Sequence, residues 1–144
     1  MVEYKTIQRI ETHLVREGEA GIKISNAQDV VKYMEELQDS DIEKFITVFL
    51  DNNNRILCEA VLSIGTINQA TVFPREVIKI ALLTGAGGII LVHNHPGGNL
   101  ESSKEDRELT GQIKRAGELF NIGLLDHLII TANGYHSMKE KGEI

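Results

Sequence analysis

The sequence has a single cysteine, Cys58, so no disulfide can close within the chain. That count fits a reducing compartment, and a cytoplasmic location is expected. No run of 18 apolar residues occurs, so no transmembrane helix is expected and the chain is read as having no membrane partner. The opening ten residues, M-V-E-Y-K-T-I-Q-R-I, lack the apolar centre of a secretory signal. Positive charge is in the minority: 15 Lys and Arg against 21 Asp and Glu give a formal charge of -6. Nucleic-acid affinity rests mainly on Lys and Arg neutralising phosphates, so the charge lends a DNA-binding role no support. Internal repeats and low-complexity blocks are also missing.

What remains is an ordinary globular composition, 42% apolar and 25% charged over 144 residues, enough for one domain with its own core. Residues 1–24 are mixed and polar and read as an N-terminal arm. Ser25 looks like a helix start, followed by Val30, Val31, Tyr33, Met34 and Leu37 on one apolar face. The β-branched and aromatic run Phe45 to Leu50 predicts a strand. The turn cluster Asp51-Asn52-Asn53-Asn54 joins it to a second strand, about Arg55 to Ile64, and Gly65 to Val72 reads as a loop. Pro74 suits the first turn of a helix, with Val77, Ile80 and Ala81 facing inward and Gly85 ending it. Ile89 to Val92 is a continuous apolar run, as in a strand buried on both faces. A further helix starts near Ser102, with Leu109, Ile113, Ala116 and Phe120 as its inner face. Leu124 to Thr131 reads as another strand, and Asn133-Gly134 predicts a hairpin into Tyr135 to Met138. The order predicts an α/β (α+β) fold: a single mixed β-sheet flanked by helices.

One segment stands out: His93-Asn94-His95-Pro96-Gly97-Gly98-Asn99-Leu100-Glu101-Ser102-Ser103-Lys104-Glu105-Asp106. The two histidines flank one residue at the end of a buried strand, so both imidazoles can face one point. Asp106 follows past a loop, in the first turn of a helix, where its carboxylate can close a third corner. Two histidines and an aspartate with an open fourth position are the arrangement of catalytic zinc, although the same donors accept manganese, iron, cobalt or nickel. Simpler explanations exist for each piece. Ser102 and Glu105 read as a capping box, which leaves Ser103 and Asp106 to face the metal. Gly85-Ala86-Gly87-Gly88 is not a phosphate-binding loop, because it follows a helix and precedes a strand. Cys58 is expected to be a small core residue, and His13 and His136 to lie at the surface.

The spacing H-x-H-x(7)-S-x-x-D resembles the JAMM motif of the MPN/JAB metalloprotease superfamily. The text from Glu43 to Thr131 resembles the RadC family's JAB-type domain: E-K-F-I-T-V-F-L-D-N-N-N-R-I-L, G-T-I-N-Q-A, P-R-E-V, H-N-H-P-G-G and L-D-H-L-I-I fall in that family's order, with residues 25–42 similar more weakly. The resemblance implies a cytidine-deaminase-like, JAB/MPN-type fold over residues 25–144. It implies metal ligands at His93, His95 and Asp106, one zinc ion, and an upstream glutamate as general base. Glu43 is the match, at the edge of the first strand; Glu59 and Glu76 are rivals. Ser103 maps to the motif serine that helps stabilise an oxyanion. Asp126 and His127 match the L-D-H block. Ligand histidines usually donate their other N–H to a carboxylate or carbonyl, but a strand pair making core hydrogen bonds is the favoured reading for these two.

The resemblance therefore implies a zinc-dependent metallopeptidase or isopeptidase acting on a peptide or protein substrate. Two other functions compete. One is a DNA repair or recombination factor, or a nuclease, suggested by the family name. The other is a non-catalytic binding scaffold, against which the intact donor set argues. Longer RadC-like proteins carry a helix-hairpin-helix segment before this domain; too few residues precede Glu43 for one, so the chain reads as the short form. An exposed sheet edge or the 1–24 arm offers a route to a homo-oligomer.

Overall fold

The computed structural model describes residues 21–65 and 72–144. Most of the expected arm, His13, and the G-T-I-N-Q-A stretch beyond Gly65 lie outside them. Among the described residues the chain forms helix α1 (Ala27–Tyr33), a short 3-10 turn (Glu35–Leu37), strands β1 (Lys44–Leu50) and β2 (Ile56–Ile64), helix α2 (Pro74–Thr84), strand β3 (Gly88–Asn94), helix α3 (Lys104–Glu118), and strands β4 (Gly123–Thr131) and β5 (Gly134–Ser137). The strands make one sheet in the order β2-β1-β3-β4-β5. All neighbouring pairs are antiparallel except β3 and β4. This is the single mixed sheet flanked by helices that the sequence predicts. Among the described residues no helix is long and apolar enough to cross a membrane.

Side chains alternate across a strand, and here both faces are covered. On one face Phe45, Phe49, Ile89 and Leu91 pack under Val77, Ile78 and Ala81 of α2 and Leu109 and Ile113 of α3. On the other, Ile46, Val48, Leu50, Ile90, Val92, Leu128 and Ile130 pack under Val30 of α1 with Met34 and Leu37. Burial on both faces explains why β3 reads as a continuous apolar run and β1 is apolar but for Thr47. Helix α2 opens on Pro74 and closes on Gly85, whose φ of 69° is the left-handed conformation that favours glycine.

Several boundaries move. Asn26, not Ser25, caps α1, its side chain accepting from Asp29 N–H. Helix α3 starts at Lys104, so Ser103 is its N-cap, and Ser103 with Asp106 forms the capping box expected of Ser102 with Glu105. Ser102 Oγ instead donates to Glu143 and accepts from Arg107. Phe120 lies beyond the end of α3 and is exposed, because the chain has already turned toward β4. His136 is partly buried at the surface: its side chain is 12% exposed and pairs with Glu143.

A bulge in β4 matters most for the site. The β3–β4 register runs Ile89↔Leu124 and then Ile90↔Asp126, one residue being extra on β4. An extra residue reverses the facing of everything after it. Leu124 faces α2 and α3; without the bulge Asp126 would follow onto that face, and with it His127 does.

Candidate metal centre

β3 ends at the site. His93 continues the Ile89-Leu91 face and sits under α3, while Asn94 points to the opposite face. His93 lies across from Phe45 on β1 and stacks on its ring, centroids 5.9 Å apart. Two residues before Phe45 comes Glu43; two residues after His93 comes His95. Glu43 and His95 thus lie just beyond the last antiparallel pair, at the same end of the two strands. Glu43, His93 and His95 each offer one donor atom, and these atoms all lie within 4.8 Å of one another, so the three form a group able to hold a metal ion. Of the rival glutamates, Glu59 is on β2 beside Tyr33, and Glu76 pairs with Lys79 on the surface of α2. Neither belongs to this group.

Asn94, the middle residue of H-N-H, supports the arrangement from behind. Its Oδ1 accepts Lys44 N–H at 2.7 Å and its Nδ2 donates to the Ile42 carbonyl at 2.9 Å. It thus grips the chain on both sides of Glu43. The Glu43 carbonyl also accepts Gly65 N–H at 2.7 Å.

The loop after His95 folds back through a turn, Gly98 N–H donating to the His95 carbonyl at 2.9 Å, with Gly98 at a φ of 83°. That brings α3's first turn to the histidines. Asp106 Oδ2 accepts Ser103 N–H at 2.8 Å, and Ser103 Oγ accepts Asp106 N–H at 3.0 Å. The cap that starts the helix therefore also aims the carboxylate. Asp106 Oδ1 lies 3.4 Å from His93 Nε2, and Oδ2 lies 3.9 Å from His95 Nε2. The two Nε2 atoms are 2.8 Å apart. Donors bound tetrahedrally at about 2.0–2.1 Å stand about 3.3 Å from one another, so these spacings fit a shared divalent ion with small side-chain adjustments. His93 is 1% exposed, while His95 and Asp106 are 18% and 14% exposed, so the group opens to solvent on their side.

Burial disfavours ionisation of Asp106, but the adjacent His93 and the hydrogen bonds from Ser103 outweigh it. Its carboxyl is held well below the usual carboxylate range. The oxygens are therefore anionic donors at neutral pH.

His127 touches the site from beneath. It is fully buried, its Nε2 lies 2.7 Å from His93 Nδ1, and its Nδ1 lies 2.6 Å from Thr110 Oγ1. Burial above all, and then the neighbouring His93, push its pKa well below the usual histidine range. Asp126 points the other way and accepts from Ser137 Oγ, Lys139 N–H and its neighbour His127 N–H. Strand alternation sends these two neighbours to opposite faces, and the bulge decides which goes where: Asp126 to a structural role, His127 to the centre. Thr110 went unnoticed in the sequence. Its one signal is its position one helical turn after Asp106.

Comparisons with known proteins identify the family. Residues 24–143 match the family model described as RadC-like JAB domain. The chain is 41% identical over 140 residues to a UPF0758 protein of Methanosarcina mazei, covering 96% of this chain and 60% of that one. It is 45% identical over 111 residues to a UPF0758 protein of Desulforamulus reducens, covering 77% and 49%, and 44% identical over 112 residues to one of Haemophilus ducreyi, covering 78% and 50%. The chain thus spans about half to three-fifths of these relatives' length. By the extent of the family match and the identity to these relatives, the chain belongs to the RadC-like JAB domain family.

Proposed function

We propose that the chain is a zinc-dependent hydrolase of peptide or isopeptide bonds, with His93, His95 and Asp106 as ligands, Glu43 as general base and Ser103 as oxyanion donor. A divalent ion held there supplies Lewis acidity, which polarises a scissile carbonyl and acidifies water toward neutrality. Glu43, near both histidines, takes the proton of the attacking water and passes it to the leaving amine. Ser103 Oγ uses a lone pair on Asp106 N–H, and its own proton is left to donate to the developing oxyanion. The partly exposed His95 and Asp106 mark the side from which a substrate carbonyl approaches, while the Phe45 ring backs His93 and excludes water behind it.

The observation that carries this reading is the meeting of two imidazole Nε2 atoms 2.8 Å apart with the carboxylates of Asp106 and Glu43 in reach. The test is hydrolysis of a peptide library by the zinc-loaded chain, read by mass spectrometry, beside Glu43→Gln and Asp106→Asn. The expected result is cleavage by the wild type, zinc retained but cleavage lost in Glu43→Gln, and zinc lost in Asp106→Asn. Full cleavage by Glu43→Gln would remove Glu43 as the base. Loss of zinc from Glu43→Gln would make Glu43 a ligand instead.

A further inference from the structure

Beneath the centre runs a chain of contacts whose proton directions can be worked out from one end. Thr110 Oγ1 lies 2.5 Å from the Asp106 carbonyl oxygen. A carbonyl carries no proton, so a contact that short requires the hydroxyl to donate. The Met138 sulfur, 3.7 Å from the same hydroxyl, also has no proton to give and is the weaker acceptor. Thr110 has one hydroxyl proton, now committed. Its 2.6 Å contact with His127 Nδ1 must therefore be His127 donating. Fully buried and with no carboxylate against either ring nitrogen, a neutral His127 has only that one N–H. Its Nε2 is then an acceptor, and the 2.7 Å contact with His93 Nδ1 is His93 donating. The proton of a neutral His93 is thereby fixed on Nδ1, and its Nε2 presents a lone pair to the centre.

His95 reaches the same state by a shorter route. Its Nδ1 lies 2.6 Å from the Asn99 carbonyl oxygen, which can only accept, so its Nε2 is also unprotonated. With both rings neutral, two lone pairs thus face each other across 2.8 Å, an arrangement that a shared cation, a metal ion or a proton, relieves.

We infer that Thr110 and His127 are positioning residues that fix the His93 tautomer for metal binding, through the one-way chain His93 → His127 → Thr110 → Asp106 carbonyl. This rests on the metal reading of the site and deepens it. The chain also closes a ring: it starts at one donor residue, His93, and ends on the backbone of another, Asp106. It ties β3, β4 and α3 together at the point where their donors must meet. Partners of this kind orient the ring and raise ligand basicity, and losing one typically weakens metal binding about 10–100-fold.

The experiment compares wild type, Thr110→Val and Thr110→Ser. Valine keeps the shape and removes the acceptor; serine restores the hydroxyl. Nitrogen-15 NMR of the metal-free proteins reads which nitrogen of His93 carries the proton. Zinc dissociation constants come from competition with a chromogenic chelator. The expected result is His93 protonated on Nδ1 in the wild type, a mixed tautomer in Thr110→Val with zinc bound about 10–100-fold more weakly, and serine restoring both readouts. A packing role alone would lower stability in Thr110→Val without moving the tautomer. A wild-type His93 protonated on Nε2 overturns the inference, as does Thr110→Val with unchanged tautomer and unchanged zinc affinity. If the wild type binds no zinc at all, the metal reading fails, and the NMR result still decides the direction of the chain.

Discussion

Thr47 offers a sharp test of how the core beside the site is built. It is fully buried in β1, between Leu91 of β3 and Ala60 of β2. It shares its face with Phe45 and Phe49, and its Oγ1 has no hydrogen-bond partner among the described residues. An unsatisfied buried hydroxyl costs about 1–3 kcal/mol. Valine has nearly the same shape and the same β-branched preference for a strand, and it puts a methyl where the hydroxyl was. Thr47→Val is therefore expected to stabilise the protein by about 1–3 kcal/mol, raising the melting temperature by roughly 3 °C per kcal/mol for a domain of this size. Thr47→Ser keeps the hydroxyl, removes the methyl and is expected to lose about 1 kcal/mol. The assay is urea unfolding of the metal-free protein in chelator, so that ligand binding does not add to the stability, with the slope against urea checked for constancy. A Thr47→Val protein no more stable than wild type would refute the reasoning, because it would mean that the hydroxyl is satisfied in the folded state.

Two other expectations follow from particular contacts. Ser103→Ala removes the cap of α3 and should cost about 1 kcal/mol, whereas Ser102→Ala should cost under about 0.5 kcal/mol; urea midpoints in the reverse order would place the cap at Ser102 after all. Burial and then Glu59 raise the pKa of the Cys58 thiol, so less of it is thiolate at neutral pH than in a free cysteine, and its reactivity moves to higher pH. Its reaction with a disulfide reagent should be slow at pH 7.5 and should rise only above the ordinary thiol range near 8.5; a rate already half-maximal below pH 8 contradicts that environment.

The elements that the sequence displayed best are those with one dominant signal. A β-branched and aromatic run gave β1, a continuous apolar run gave β3, Pro74 and Gly85 bracketed α2, and Asn133-Gly134 gave the last hairpin. The convergence of His93, His95 and Asp106 was legible because strand alternation and a short loop fix it locally. The cap was misplaced by one residue because Ser102 and Ser103 both precede an acidic residue three positions on, and only the contacts of Ser102 with Glu143 and Arg107 break the tie. His127 was harder. Its facing depends on a bulge near Leu125 that leaves no turn residue or glycine in L-D-H to announce it. Asn94 was hidden for another reason: its partners at positions 42 and 44 are about 50 residues away in sequence and meet it only through the β1–β3 register. Glu43 was picked over Glu59 and Glu76 by its place at the start of the first strand, and the β1–β3 pairing that ends at Phe45 and His93 leaves it near both histidines.

The central claim is that these side chains share one divalent ion. Calorimetric titration of zinc into the chelator-treated protein, beside a His93→Ala/His95→Ala variant, measures it directly. The account predicts one ion per chain for the wild type and none for the variant at the same concentrations. Equal zinc uptake by both proteins, or no uptake by either, would contradict it.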